Sequence, residues 1–145
     1  GGAPGDRAQG GARAAGAWQG RRILVGEDSA INQEGAAGLL EAVGIRLSVA
    51  DGGVAALEAI SAAPEAFEGI LMDLQMPVMD GYEATRRIRE LESYRDVPII
   101  AMTAHALVSE RERCLASGMN DHIGKPFDVE ALYATLIRWL SGQAR

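Results

Sequence analysis

Apolar and polar positions fall in alternating blocks along this chain. Short apolar runs recur at 23–25 (ILV), 46–50 (RLSVA), 69–72 (GILM), 99–102 (IIAM) and 122–123 (HI), with starts 20 to 30 residues apart. Between and after them lie segments of helical character, at 30–43, 52–62, 81–91, 106–117 and 128–140. The runs predict strands β1 to β5 and the longer segments helices α1 to α5, in chain order. Strands that alternate with helices imply βαβ crossovers and a parallel sheet. The runs are continuously apolar, as in a sheet covered on both faces. The expected class is therefore α/β, a doubly wound five-stranded parallel sheet with helices on both sides.

Local signals agree with this division. Asp80 stands three residues before Glu83, the spacing of a capping box at the start of α3. Asp128 is placed to cap α5. Within α5, Val129, Leu132, Tyr133, Leu136, Ile137 and Leu140 recur at helical spacing and define one apolar face. Gly44 and Gly118 follow helical segments, where a C-terminal glycine is expected. Pro98 sits just before β4, where its missing N–H is tolerable.

Residues 1–20 differ from the rest. Thirteen of these twenty are Gly or Ala, so the segment has little to bury and is expected to be a flexible linker. Trp18 is the exception in composition; it is expected to be a linker residue, with loose packing on the domain as the lesser alternative. The domain proper is expected over 21–141, with 142–145 as a short tail. The linker suggests a tether to something upstream, and the lack of an initiator methionine suggests a fragment or processed chain. Only five residues follow α5, too few for an output domain.

Composition narrows the function. A chain of 145 residues suits one domain. Aromatic residues make up only 5%, so the core must be aliphatic. The net charge is −6 with no basic stripe, which disfavours direct nucleic-acid binding. No apolar run approaches the roughly 18 residues of a membrane span. Cys114 is the one cysteine, so no internal disulfide can form and a reducing compartment fits. With no signal-peptide pattern, the expected location is cytoplasmic.

The candidate chemistry lies where the strands end. In an open parallel sheet the active crevice lies outside the carboxyl ends of the strands. There β1 ends in Glu27-Asp28, β3 in Asp73 and β4 in Thr103, and β5 is followed by Lys125-Pro126. Three carboxylates close together repel, and at least one should resist ionisation. A divalent cation reverses this, and few hard oxygen ligands with room for water and a phosphate oxygen describe a Mg²⁺ site. With Lys125 to neutralise charge and Thr103 to donate a hydrogen bond, the set suits phosphoryl transfer to a carboxylate. Asp73 is the expected nucleophile.

The stretches RILVGEDSAINQ, ILMDLQMPVMDGYEATRRIR, IIAMTAHA and GMNDHIGKPF, in this order, resemble the receiver domains of two-component response regulators, the CheY-like family. The likeness is strongest to receivers attached to hybrid histidine kinases and phosphorelays. It implies a flavodoxin-like (βα)5 fold with strand order 2-1-3-4-5. It implies that Asp73 accepts a phosphoryl group from the phosphohistidine of a histidine kinase or histidine phosphotransfer domain. Asp28 and Asp73 would bind Mg²⁺, or Mn²⁺ on the same donors, with Glu27 helping through water and the Gln75 backbone carbonyl completing the ligands. Lys125 would contact the phosphoryl group. Thr103 would move to hydrogen-bond it and pass the change to the α4–β5–α5 face, which could also support a dimer. Gln75 and His105 would tune phosphoryl lifetime, and Lys125–Pro126 would be a cis peptide.

Several residues depart from the family pattern or need weighing. His122 stands where the family usually has Tyr or Phe as switch partner of the threonine. A histidine is smaller and titrates near neutrality, so protonation is expected to oppose an inward turn. Gly26 and Gly35 are unusual at a strand end and inside a helix. Cys114 and the methionines at 72, 76, 79 and 102 are expected to pack, and RRIRELESYR to be a solvated helix face. Two other functions compete. A phosphohydrolase using an aspartyl-phosphate would carry a second acid two residues past the nucleophile, where this chain has Gln75. A degenerate receiver acting only through protein binding would not need the full set of acids, threonine and lysine.

Overall fold

The computed structural model describes residues 18–62, 67–104, 108–125 and 127–140. Five strands form one parallel sheet in the order β2-β1-β3-β4-β5. They are β1 (Arg22–Gly26), β2 (Arg46–Ala50), β3 (Gly69–Asp73), β4 (Ile99–Thr103) and β5 (Asp121–Gly124). The helices are α1 (Ala30–Glu41), α2 (Gly53–Ala62), α3 (Gly81–Arg89), α4 (Val108–Ser117) and α5 (Val129–Leu140), with a 3-10 turn at Glu92–Tyr94. This is the expected doubly wound topology. The strand order reverses at β1 and β3, which places a crevice at the ends of those two strands.

Successive side chains of a strand point to opposite faces, and here both faces are buried. Leu24, Ile70, Met72, Ile99 and Ala101 pack with Ala56, Ile60, Tyr82, Ala84, Ile88 and Cys114 of α2, α3 and α4. Ile23, Val25, Leu71, Ile100 and Met102 pack with Ala36 and Leu40 of α1 and with Leu132, Leu136 and Leu140 of α5. The β3 and β4 residues are buried throughout, which explains their unbroken apolar sequence. Cys114 is a packing residue, as expected, and burial pushes its thiol up. The apolar face of α5 is wider than its contact with the core. Leu132, Leu136 and Leu140 are buried, whereas Val129 and Ile137 lie exposed at its margins.

The caps hold as expected. Asp80 accepts from the Glu83 amide at 2.9 Å and Asp128 from the Ala131 amide at 3.2 Å. Gly44 and Gly118 close α1 and α4 at φ +85° and +109°. Gly26 now has a steric account. A Cβ there would sit 2.7 Å from the Met72 Sδ, so glycine lets that side chain fill the space between β1 and α2.

Two expectations are corrected. Trp18, expected in the linker, is 1% exposed and packs in the core beside Tyr133 of α5, ring centroids 6.2 Å apart. Its carbonyl accepts from Arg21 N–H at 2.9 Å, and Gly20 N–H donates to the Gly44 carbonyl at 3.0 Å. A large aromatic gains more from filling this gap than from solvent exposure. The other correction concerns RRIRELESYR, which is not simply a solvated face. Helix α3 stops at Arg89, and Tyr94 is buried. Arg89 donates to the carbonyls of Gly118 (2.9 Å), Tyr94 (2.6 Å) and Val97 (2.7 Å) and to Asn120 Oδ1 (2.8 Å). Arg86 and Arg87 do face solvent, paired with Glu83.

Candidate functional site

Parallel pairing brings the strand ends into register. Gly26 pairs with Met72, Asp73 with Met102, and Thr103 with Gly124. Glu27, Asp73, Thr103 and Lys125 therefore stand around one rim, although almost a hundred residues separate the first from the last. The loop after β3 depends on Gly81. A Cβ there would run into the backbone carbonyl of Asp73, so only glycine lets the start of α3 approach the strand end this closely.

Asp73 is 3% exposed. Its Oδ1 accepts the Gln75 amide N–H at 3.2 Å, and its Oδ2 lies 3.2 Å from Lys125 Nζ. The same ammonium donates to Glu27 Oε1 at 3.1 Å, while Glu27 Oε2 accepts the Ser29 amide at 3.1 Å. Gln33 steadies the β1–α1 turn by donating to the Glu27 carbonyl at 2.6 Å and to Asp51 Oδ1 at 2.8 Å. Asp28 is exposed beside this pair. One carboxylate oxygen from each of Glu27, Asp28 and Asp73 lies within 4.8 Å of the others.

The expected reluctance to ionise falls on Asp73. Burial, and then the neighbouring Glu27 carboxylate, push it up to about 6, against the pull of the Gln75 amide and Lys125. Burial also works against the Glu27 charge. There the Ser29 amide, the Asp73 carboxyl and Lys125 outweigh it and hold Glu27 below the usual range. For Lys125, burial opposes the charge, but both carboxylates overcome it and raise the ammonium above its ordinary value. One cation cannot serve three acids, so the rim keeps an excess of negative charge. Its donors are hard oxygens at the spacing of a single ion, and they fit a divalent metal of the Mg²⁺ type.

The expected residues are not all placed alike. Glu27 touches Lys125 directly, a contact the sequence reading did not anticipate. Gln75 is exposed and engages Asp73 through its amide. Thr103 is 3% exposed, and its hydroxyl donates to Glu110 Oε1 of α4 at 2.5 Å. His122 is half-buried on β5; its amide donates to Asp121 Oδ1 at 2.8 Å, and its Nδ1, 3.9 Å from the same oxygen, has no hydrogen-bond partner among the described residues. The expectations for His105 and for the Lys125–Pro126 peptide fall outside the described residues. Sequence reasoning missed Glu110 and Gln33, whose only signal was their place in the first turn of a helix beside the rim.

A family profile described as the response regulator receiver domain matches residues 23–137. The chain belongs to that family. It is 40% identical to the sensor protein GacS of Pseudomonas syringae, matching over 81% of this chain and 13% of that protein. It is 38% identical to Histidine kinase 2 of Arabidopsis thaliana, over 82% of this chain and 12% of that protein. The receiver thus corresponds to a small part of these kinases. Among solved structures it is similar to the receiver domain of the sensor histidine kinase PA1611 from Pseudomonas aeruginosa, described with a magnesium ion coordinated in its active site cleft. That match has 43% identity and a TM-score of 0.77 over 84% of this chain and 98% of that one. It is also similar to the receiver domain of Ssk1 in its co-crystal with the histidine phosphotransfer protein Ypd1 of Saccharomyces cerevisiae. Here the identity is 30% and the TM-score 0.80, over 88% of this chain and 94% of that one. Among the described residues, no helix is long and apolar enough to cross a membrane.

Proposed function

We propose that this receiver accepts a phosphoryl group on Asp73 from the phosphohistidine of a histidine kinase or histidine phosphotransfer protein. The observation that carries the reading is the buried Asp73 carboxylate, 3.2 Å from Lys125 and within 4.8 Å of two further acids. An Asp73 oxygen attacks phosphorus, the P–N bond to the donor imidazole breaks, and the ring nitrogen keeps the electron pair. Mg²⁺ held by Asp28, Asp73 and the Gln75 carbonyl, with Glu27 behind them, would neutralise charge on the transferring group. Lys125 exchanges its contact with Asp73 for one with the phosphoryl oxygens. Thr103 donates to another of these oxygens, and the α4–β5–α5 face responds.

The donor histidine must reach Asp73, so its protein must sit against the surface beside Lys125. A 370 Å³ groove lies there, lined by Ile31, Gly35, Leu39, Lys125, Phe127 and Val129. Ile31 is 80% exposed at its edge. Gly35, odd inside a helix, faces the Phe127 ring here, which lies 4.0 Å from where a Cβ would be.

Mass spectrometry after incubation with Mg²⁺ and acetyl phosphate tests the reading. One phosphoryl group should appear on the protein and be absent from Asp73→Asn. Ile31→Asp should slow transfer from a phosphorylated histidine phosphotransfer protein while leaving labelling by acetyl phosphate intact. Wild-type protein that stays unlabelled, or an Asp73→Asn variant that labels equally, overturns the proposal.

A further inference from the structure

The Thr103–Glu110 contact concerns a hydroxyl that the proposed reaction needs elsewhere. An O–H···O⁻ separation of 2.5 Å is at the short, strong end for a carboxylate acceptor. The main chain of Thr103 is not free to follow a new partner. Its residue pairs with Gly124 across β4 and β5, and its carbonyl accepts the Lys125 N–H at 2.8 Å. Only the side chain can reorient. A threonine hydroxyl carries one proton, so it donates to one acceptor at a time.

We infer that Glu110 is a positioning residue that holds the Thr103 hydroxyl away from the phosphoryl pocket and must lose it when Asp73 is phosphorylated. The inference rests on Asp73 being the phosphoacceptor. Glu110 lies in the first turn of α4, whereas Thr103 ends β4. This bond ties the start of the helix to the rim. The phosphoryl group and Glu110 compete for one donor, and a ligand moves an equilibrium only by its differential affinity for the two states. The Glu110 bond is therefore subtracted from the drive for the switch, and its rupture releases the start of α4. Within the charged stretch SERER, Glu110 reaches the rim, while Arg113 lies over the Tyr82 ring, 4.1 Å from its centroid.

Beryllofluoride, a phosphoryl analogue, separates the alternatives when titrated in Mg²⁺ and followed by the Thr103 and Glu110 amide signals in NMR spectra. Glu110→Ala should bind it about three- to ten-fold more tightly than wild type. Glu110→Gln, which keeps the shape and weakens the acceptor, should shift in the same direction by less. In a Thr103→Val background, binding should be weaker overall and Glu110→Ala should change nothing further. Unchanged or weaker binding by both Glu110 variants overturns the inference. So does tightening that persists without the Thr103 hydroxyl, because that would be simple relief of charge repulsion. Wild-type protein that binds no beryllofluoride would remove the phosphoacceptor reading first, and this inference with it.

Discussion

Arg89 and Lys125 are partly buried cations at opposite ends of the sheet, and they are used in opposite ways. Arg89 lies by the amino ends of β4 and β5. It donates to three backbone carbonyls and to Asn120, which also accepts the Ile99 amide at 2.8 Å. Those acceptors are neutral, and together they tie the end of α3 to the segments that lead into β4 and β5. Lys125, at the carboxyl ends, stands between two carboxylates with a third close by, and one of them is pushed up to about 6. The amino end is electrostatically settled and the carboxyl end is not. A site proposed to receive a metal and a phosphoryl group cannot be saturated beforehand, so the fold has to be secured elsewhere.

The largest effect expected from this contrast is at Arg89. Arg89→Ala removes four hydrogen bonds at once and should cost about 3 kcal/mol of unfolding free energy. Arg89→Lys should recover only part of that, because an ammonium cannot reproduce the guanidinium fork. Urea denaturation measures both. Protein that remains folded should still be labelled by acetyl phosphate at the wild-type rate. A matching loss of labelling in folded Arg89→Ala would mean that the two ends are not independent.

The opposite substitution at the other end should stabilise. The native state holds the Asp73 proton more tightly than the unfolded chain does, with the group near 6 rather than 3.8. Its contribution therefore falls as pH rises through that interval, and above it an ionised, buried Asp73 is a liability. Asp73→Asn should gain about 1–2 kcal/mol at pH 7.5, shrinking steadily as pH falls from 6.5 to 4.5. Glu27, held low, runs the other way. Its contribution is present above its unfolded value and lost in acid; because Asp73 is one of the groups that hold Glu27 low, the wild-type-minus-variant difference reports the Asp73–Glu27 pair together. Mg²⁺ should raise the thermal midpoint of wild type at pH 7.5 and leave Asp73→Asn almost unchanged. A pH-independent gain would show that the charge is not its source.

The settled end was the harder one to read from sequence. Strands buried on both faces are apolar without interruption, so β3 and β4 are visible in the residues alone. The crevice of a parallel sheet has a known edge, so the residue order alone places Glu27, Asp28, Asp73, Thr103 and Lys125 there. Trp18 could not. Its neighbours are glycine and alanine, and the gap it fills exists only once α1 and α5 have packed. Arg89 was hidden for a similar reason. Its helix neighbours Arg86 and Arg87 are solvated, and its acceptors come from segments up to 31 residues away. Glu110 was unreadable because a hydroxyl–carboxylate contact between β4 and α4 leaves no periodic trace.

The smallest effect tests whether the carboxyl end also carries backbone strain. Val78, in the loop between Asp73 and α3, has φ 72° and is 99% exposed. The Met79 N–H donates to the Pro77 carbonyl at 2.8 Å, closing a tight three-residue turn around it. A β-branched residue at this angle is strained by about 1–3 kcal/mol, and its side chain gains no packing in return. Glycine would remove the strain but add conformational freedom to the unfolded chain, which offsets about 1 kcal/mol. Val78→Gly should therefore stabilise by about 0.5–1 kcal/mol in urea denaturation, with the Asp73 labelling rate unchanged. A loss of stability would mean that the turn is relaxed with valine in place, and that the carboxyl end differs from the amino end in charge alone.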